Sequence, residues 1–149
     1  MSPITTKAQA EGAIDDLTAL IEQLSGIVQR ETVLLQAGHV RDAAEIEPTK
    51  KELAGRLYAA GEMLKANTKF VLLAAPARCG ALNTAQEAFR TVLQKNMIVL
   101  ATAHAVSEGI VRRLSGELAK KASPQVYGAT GRTIAPNPKH GRPLAISKR

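Results

Sequence analysis

Apolar residues recur in the first quarter of the chain at steps of three and four residues, the spacing of one face of an α-helix. The stripe comprises Ile14, Leu17, Ile21, Leu24, Val28 and Leu35, widened by Leu20, Ile27 and Leu34. Thr6 and Gln9 form a capping-box pattern before it, and Gly38 supplies a stop signal after it. We therefore predict a first helix at about 7–37. Glu31 occupies a stripe position, so either its carboxylate reaches solvent or a partner, or the seam opens there.

The second apolar stripe follows a proline. Pro48 removes a backbone donor, which predicts a bend or a restart, and Thr49–Glu52 has the pattern of a second capping box. The stripe then runs through Leu53, Leu57, Ala60 and Leu64 to Val71. We predict a second helix at about 41–74, followed by a loop marked by Pro76 and Gly80.

The third stripe is the longest. Thr84–Glu87 gives another capping-box pattern, and Pro124 is a stop signal, so we predict a helix at about 84–121. The apolar positions cover more than one side of it: Phe89, Val92, Leu93, Val99, Leu100, Ala103, Val106, Ile110, Leu114 and Leu118. Two alternatives follow, a broad core stripe or a surface left for a partner. Asn96 lies within this stripe, either as a buried residue that fixes helix register or as a polar contact to a bound helix.

Composition supports an all-α fold. The chain has 149 residues with 25 alanines and 3% aromatic residues, which favours closely packed helices over a sheet. Short connections make sequential helices antiparallel neighbours. We predict an elongated antiparallel three-helix bundle over 1–123 and a flexible, basic, proline-containing C-terminal tail over 124–149.

The charge is concentrated in that tail. Residues 1–123 hold fifteen of the twenty Lys and Arg and all thirteen acids, whereas 124–149 hold five basic residues and no acid. The body thus lacks the basic face of a dedicated nucleic-acid-binding domain, and no nucleic-acid partner is expected. The N-terminus lacks the apolar core of a signal peptide, and the longest apolar run, Phe70–Ala77, is too short to span a bilayer. We expect a cytoplasmic protein without membrane insertion.

Catalytic chemistry has little support in the sequence. His39, His104 and His140 lack metal-ligand spacing, and Cys79 has no partner for a disulfide. We predict no enzyme activity, no catalytic residue, no metal and no cofactor. One alternative is a histidine phosphotransfer bundle built on His104, although Glu108 would repel a phosphoryl group there.

A set of residues in order along the chain resembles a known family. The set is Glu31-x-x-x-Leu35, Gly38-His39, Ile46, Lys50-x-x-Leu53, Leu57, Asn96 with Val99 and Leu100, and Tyr127-Gly128-Ala129-Thr130-Gly131-Arg132. Together they resemble the FlgN family of flagellar type III export chaperones. The chain departs from the family pattern at Pro48, which interrupts a helix that is usually continuous, and at Leu93, where a second asparagine is often found.

The resemblance implies a cytosolic, non-enzymatic chaperone. Such a protein binds the C-terminal helical region of hook-associated proteins, prevents their premature assembly and delivers them to the export gate. The implied cargo-binding residues are Asn96, Leu100, Val106, Ile110, Leu114 and Leu118. The segment implied to dock at the export gate contains Tyr127, Gly128 and Gly131. The competing interpretation is a structural or regulatory coiled-coil adaptor, and self-association of the cargo-free protein is an open alternative.

Overall fold

The computed structural model describes residues 2–122, and within them every regular element is an α-helix. The helices are α1 (Lys7–Gln36), α2 (Val40–Ala66), α3 (Thr68–Ala74) and α4 (Pro76–Ala122). The expected all-α class is confirmed. The predicted tail, 124–149, lies outside the described residues.

Both ends of α1 form as the sequence predicts. The Thr6 side chain accepts a hydrogen bond from the backbone amide of Gln9, and the Gln9 side chain accepts one from the Thr6 amide, which completes the capping box. At the other end, Gly38 has a φ of 83°, in the left-handed region that favours glycine. The amides of Gly38 and His39 donate to the carbonyls of Leu35 and Leu34, which satisfies the last turn of the helix.

Pro48 does not divide the second helix, so of the two predicted alternatives, a bend or a restart, the restart is wrong. α2 runs without a break from Val40 to Ala66, so Thr49–Glu52 lies in its interior and begins no new helix. Pro48 removes the amide that would bond to the carbonyl of Ala44. Both residues are exposed, so water can reach that carbonyl and the helix tolerates the loss.

The second helix, which was predicted to run to about 74, instead breaks at Asn67. Asn67 has non-helical backbone angles, φ −115° and ψ 21°, and separates α2 from α3. Its side chain competes with the helix for hydrogen bonds: Nδ2 donates to the Met63 carbonyl at 2.8 Å, and Oδ1 accepts from the Ile4 amide at 3.1 Å. The break therefore also fixes the N-terminal segment against the end of α2.

The third predicted helix starts earlier than expected. α4 begins at Pro76 and passes through Gly80 and Thr84 without interruption. Proline is favoured at the first helical position, because it has no amide to satisfy there and its φ is already helical. Thr84 caps nothing, since its hydroxyl donates to the Gly80 carbonyl one turn earlier. The prediction of a loop marked by Pro76 and Gly80 is wrong, because Pro76 begins α4 and Gly80 lies within it.

Three helices pack side by side in the unit Met1–Ala105. Glu31, late in α1, pairs with Lys50, whereas the earlier Ile14 shares a cluster with the later Leu64, so α1 and α2 are antiparallel. Asp15 pairs with Arg78 and Glu31 with Asn96, so α1 and α4 are parallel. Two apolar clusters form the core. One contains Ile4, Ala10, Ile14, Leu17, Ile21, Leu64, Val71 and Ala75. The other contains Leu20, Leu24, Val28 and Leu53, with Phe89, Val92 and Leu93 of α4 packed against it.

The second compact unit, Val106–Arg149, is described only through Ala122, where it is helical throughout. Within the described residues of both units, no helix is long and apolar enough to cross a membrane.

Candidate functional site

The stretch of α4 in the second unit presents an apolar face. Val106, Ile110, Leu114 and Leu118 follow one another at steps of four residues and therefore share one side of the helix. We call these four residues the C-terminal α4 face. Their exposed fractions are 57%, 45%, 55% and 66%. Four large apolar side chains this exposed in consecutive turns are typical of a surface that binds another molecule.

Val111 widens this face and was missed from the sequence. It is 60% exposed and lies three residues before Leu114 and seven before Leu118, so its side chain is next to theirs on the helix. That spacing was available in the sequence. Val111 was overlooked because the face was defined by steps of four residues alone, and Val111 is not in that series.

The other two residues implied to bind cargo lie in the first unit and differ from each other. Leu100 is 37% exposed, at the border between half-buried and exposed. Asn96 is 4% exposed and is held inside the bundle. Its Nδ2 donates to Glu31 Oε1 at 2.8 Å and Thr32 Oγ1 at 3.1 Å, with the Val28 carbonyl at 3.5 Å. The geometry therefore favours the structural alternative for Asn96, in which the side chain fixes the register of α4 against α1.

Asn96 belongs to a buried polar cluster that links three helices. Glu31, which is 3% exposed, accepts two hydrogen bonds from Lys50 Nζ, at 3.1 Å and 2.9 Å, and one from Asn96. Lys50 Nζ also lies 3.0 Å from Glu47 Oε2. Thr32 donates to the Val28 carbonyl and accepts from Asn96. The carboxylate of Glu31 thus reaches a partner, which is one of the two alternatives predicted for it.

The electrostatics of this cluster favour the charged form of Lys50. Burial lowers the pKa of Lys50, but hydrogen bonds and the negative charges of Glu31 and Glu47 outweigh burial, and the pKa lies above its ordinary value of 10.5. No buried side-chain nitrogen or oxygen in residues 2–122 lacks a hydrogen-bond partner. The fully buried polar atoms of the cluster are therefore all paired, as a stable polar core requires.

The remaining candidates are placed as follows. Tyr127, Gly128 and Gly131 lie outside the described residues. His104 is exposed on α4. In the described part of the chain, no group of three or more His, Cys, Asp or Glu side chains is positioned to hold a metal ion. The C-terminal α4 face is thus the best-supported candidate site, and its chemistry is that of apolar association.

Comparison with known proteins finds a flagellar relative. The chain is similar to the flagellar basal-body protein FlbY of Caulobacter vibrioides, with 24% identity over 141 residues that cover 94% of this chain and 95% of FlbY. No protein-family model matches the chain, and no solved structure matches it. The similarity agrees with the flagellar part of the expectation. It does not confirm membership of the FlgN family or a chaperone role.

Proposed function

We propose that this protein is a cytoplasmic, non-enzymatic chaperone of flagellar export that captures an amphipathic helix of its cargo on the C-terminal α4 face. The observation that carries the proposal is the exposure of Val106, Ile110, Leu114 and Leu118 on one side of one helix. The end-to-end similarity to a flagellar protein supports the cellular context. The resemblance to the FlgN family supports the cargo class, the C-terminal helices of hook-associated proteins, and delivery to the export gate.

The chemistry of the face suits reversible capture of a helix. Apolar side chains at steps of four residues pack into the apolar stripe of a second helix, as in other helix-in-groove complexes. Gly109 and Gly116 lie within this part of α4, and each glycine lowers helix stability by about 1 kcal/mol relative to alanine. A helix that is only moderately stable can adjust to its partner and release it later.

Isothermal titration with C-terminal peptides of hook-associated proteins tests this role. We expect one-to-one binding with a Kd of about 1 µM and a negative heat-capacity change, the mark of apolar burial. Ile110→Asp combined with Leu114→Asp should abolish binding while far-UV circular dichroism stays helical. Loss of helicity in that variant would mean that these residues are core.

The matched control is a pair of exposed apolar residues of the same helix that lie in the first unit, outside 106–118. Met97 and Ile98 are 66% and 68% exposed. Met97→Asp combined with Ile98→Asp should leave cargo affinity within about twofold, because substitutions at exposed positions outside a contact change little. Equal loss of binding in both pairs would contradict a specific face.

Gate docking is tested separately from cargo binding. Tyr127→Ala should leave cargo affinity nearly intact and reduce export of the cargo. A large loss of affinity would instead assign Tyr127 to the cargo site.

A second candidate function is a coiled-coil adaptor associated with the flagellar basal body, and the similarity to a basal-body protein favours it. This adaptor would use the same face to bind a structural component or a second copy of the chain. Co-sedimentation with isolated basal bodies, without binding to hook-associated peptides, would support it. A stable homodimer in sedimentation at several concentrations would support it as well, because it would occupy the face assigned to cargo.

Absence of acid-labile phosphate on His104 after incubation with a phosphorylated receiver domain would exclude phosphotransfer.

A further inference from the structure

A groove in the first unit has no role in the function proposed above. It lies between α2, α3 and α4 and has a volume of about 600 Å³. Its floor is apolar: Leu17, Leu64 and Val71 are buried core residues, and Cys79 and Leu82 are half-buried beside them. The groove therefore opens directly onto the main hydrophobic cluster of the bundle.

Two glycines line the groove from opposite helices. Gly61 is in the interior of α2 and Gly80 in that of α4, where glycine destabilises a helix relative to alanine. A Cβ atom added at either position would meet nothing within 4 Å. Both positions therefore leave room on the walls of the groove, where glycine lets a neighbouring backbone approach closely.

The polar groups of the groove point to a partner with negative charge. Lys65 is the single charged residue among those lining it, and it makes no ion pair within 4 Å in residues 2–122. Lys69, one turn further along, lines an adjoining hollow together with Lys65. Asn83 and Gln86 line the α4 side, and both amides are exposed. No carboxylate lines the groove, so its charge complements an acidic segment.

The rim carries exposed apolar side chains. Leu72 lines the groove and is 54% exposed, and its neighbours on α3, Phe70 and Leu73, are 36% and 85% exposed. These three large apolar residues are exposed within four consecutive positions, so the apolar surface continues beyond the groove. The groove and its rim thus offer several apolar contacts and not a single anchoring one.

We propose that this groove binds an amphipathic helix of a partner protein, with its apolar stripe against Leu64, Leu72 and Leu82 and with carboxylates beside Lys65 and Lys69. A concave floor walled by two helices, with glycines on both walls, fits a helix better than it fits a flat bilayer. The site is separate from the C-terminal α4 face and does not depend on the cargo role of that face. It gives the protein a second docking surface.

The test uses the full chain carrying Ile110→Asp and Leu114→Asp, which removes the C-terminal α4 face as a competing site. Its probes are two designed helical peptides of about 16 residues, long enough to present two or three apolar turns. Both peptides carry leucines along one face; one has glutamates on its flanks and the other has lysines. In ¹⁵N-correlation spectra, the glutamate peptide should shift amides around Gly61, Leu72 and Gly80. The lysine peptide should bind at least about threefold more weakly, the size of one or two exposed charge contacts.

Variants separate binding from folding. Gly80→Leu should place a side chain in the groove and abolish binding of the glutamate peptide, while the melting temperature stays equal or rises, because leucine is the better helix former. Lys65→Glu should weaken that peptide and strengthen the lysine peptide. Lys51→Glu, a charge reversal at an exposed lysine of α2 that does not line the groove, is the matched control and should change neither affinity.

Four results would overturn the proposal. They are binding of both peptides with equal affinity, shifts confined to Val106–Leu118, binding of the glutamate peptide that survives Gly80→Leu, and no binding of either peptide. Two further outcomes would assign the surface to another occupant. Binding of the chain to anionic lipid vesicles that is lost in Leu72→Asp with Leu73→Asp would assign it to a membrane. Concentration-dependent dimerisation that is lost in Gly80→Leu would assign it to a second copy of the chain.

Discussion

Residues 85–99 and 106–118 of α4 carry apolar side chains at the same helical spacing, but their surroundings differ. In the first stretch, Phe89, Val92 and Leu93 pack against the apolar cluster that α1 and α2 form. Asn96, in the same stretch, is 4% exposed. In the second stretch, every large apolar residue is at least 45% exposed. The same pattern thus serves core packing in one place and leaves a free surface in the other. Periodicity predicts which residues share a face, but it does not reveal whether that face is covered.

Replacement of the packed aromatic residue should have the largest effect. Phe89 contacts both apolar clusters, so Phe89→Ala removes a contact shared by α1, α2 and α4. We expect a loss of about 3 kcal/mol in the free energy of unfolding, the lower end of the range for Phe→Ala in cores because Phe89 is half-buried. Chemical denaturation measures it. A loss below about 1 kcal/mol would mean that the first stretch is no better packed than the second.

Removal of the cation from the polar cluster should have the next largest effect. Lys50→Met leaves the Glu31 carboxylate, whose side chain is 4% exposed, without its charged partner. We expect a loss of about 2 kcal/mol, less than for a fully buried pair because the Lys50 side chain is 21% exposed.

A double variant provides the control for that experiment. Glu31→Leu combined with Lys50→Met should recover most of the lost stability, since an apolar pair replaces a half-broken ion pair. If the double variant is as unstable as Lys50→Met, the penalty arises from packing of the lysine stem and not from the stranded charge.

Alkaline pH should also remove the stabilisation from the Glu31–Lys50 ion pair, with a smaller loss in the free energy of unfolding than Lys50→Met causes. The pKa of Lys50 is raised in the folded protein above its ordinary 10.5, so the folded state holds this proton more tightly than the unfolded state. The resulting stability is fully present below pH 10.5 and is lost as pH rises through the folded-state pKa. Urea denaturation between about pH 8 and 12 should show a steeper decline for the natural chain than for Lys50→Arg, whose guanidinium stays charged. Parallel declines would contradict a raised Lys50 pKa.

Truncation on the C-terminal α4 face should have the smallest effect on stability. Leu114 is 55% exposed, so Leu114→Ala should change the free energy of unfolding by no more than about 0.5 kcal/mol. The same variant should still weaken cargo binding. A loss comparable to that of Phe89→Ala would show that this face is covered within the protein.

Local features of the fold were predictable from the sequence, because their causes lie within a few residues. Thr6 and Gln9 satisfy each other across one turn, and Gly38 alone allows the positive φ at the end of α1. The start of α4 at Pro76 was not predicted, because proline is common both in loops and at the first position of a helix. Asn67 gave no sequence signal strong enough to predict the break, since its hydrogen bond to Ile4 spans 63 residues.

The candidate sites divide in the same way. The C-terminal α4 face was predictable as a set of residues, because helical spacing alone defines it. Helical spacing does not reveal whether such a face is exposed. The contacts of Glu31 with Lys50 and Asn96 join residues 19 and 65 positions apart, so the sequence could identify the polar positions but not their pairing. The groove beside α3 was missed entirely, because its lining residues come from different helices, among them Leu17, Leu72 and Leu82.

The central claim is that the second stretch of α4 binds a partner helix while the first stretch serves the core. Amide hydrogen exchange along α4, with and without the C-terminal region of a hook-associated protein, tests it most directly. We predict fast exchange at 106–118 in the free protein, strong protection there when the cargo region is present, and unchanged protection around Asn96. Equal protection of both stretches without cargo, or cargo-dependent protection only outside 106–118, would contradict the account.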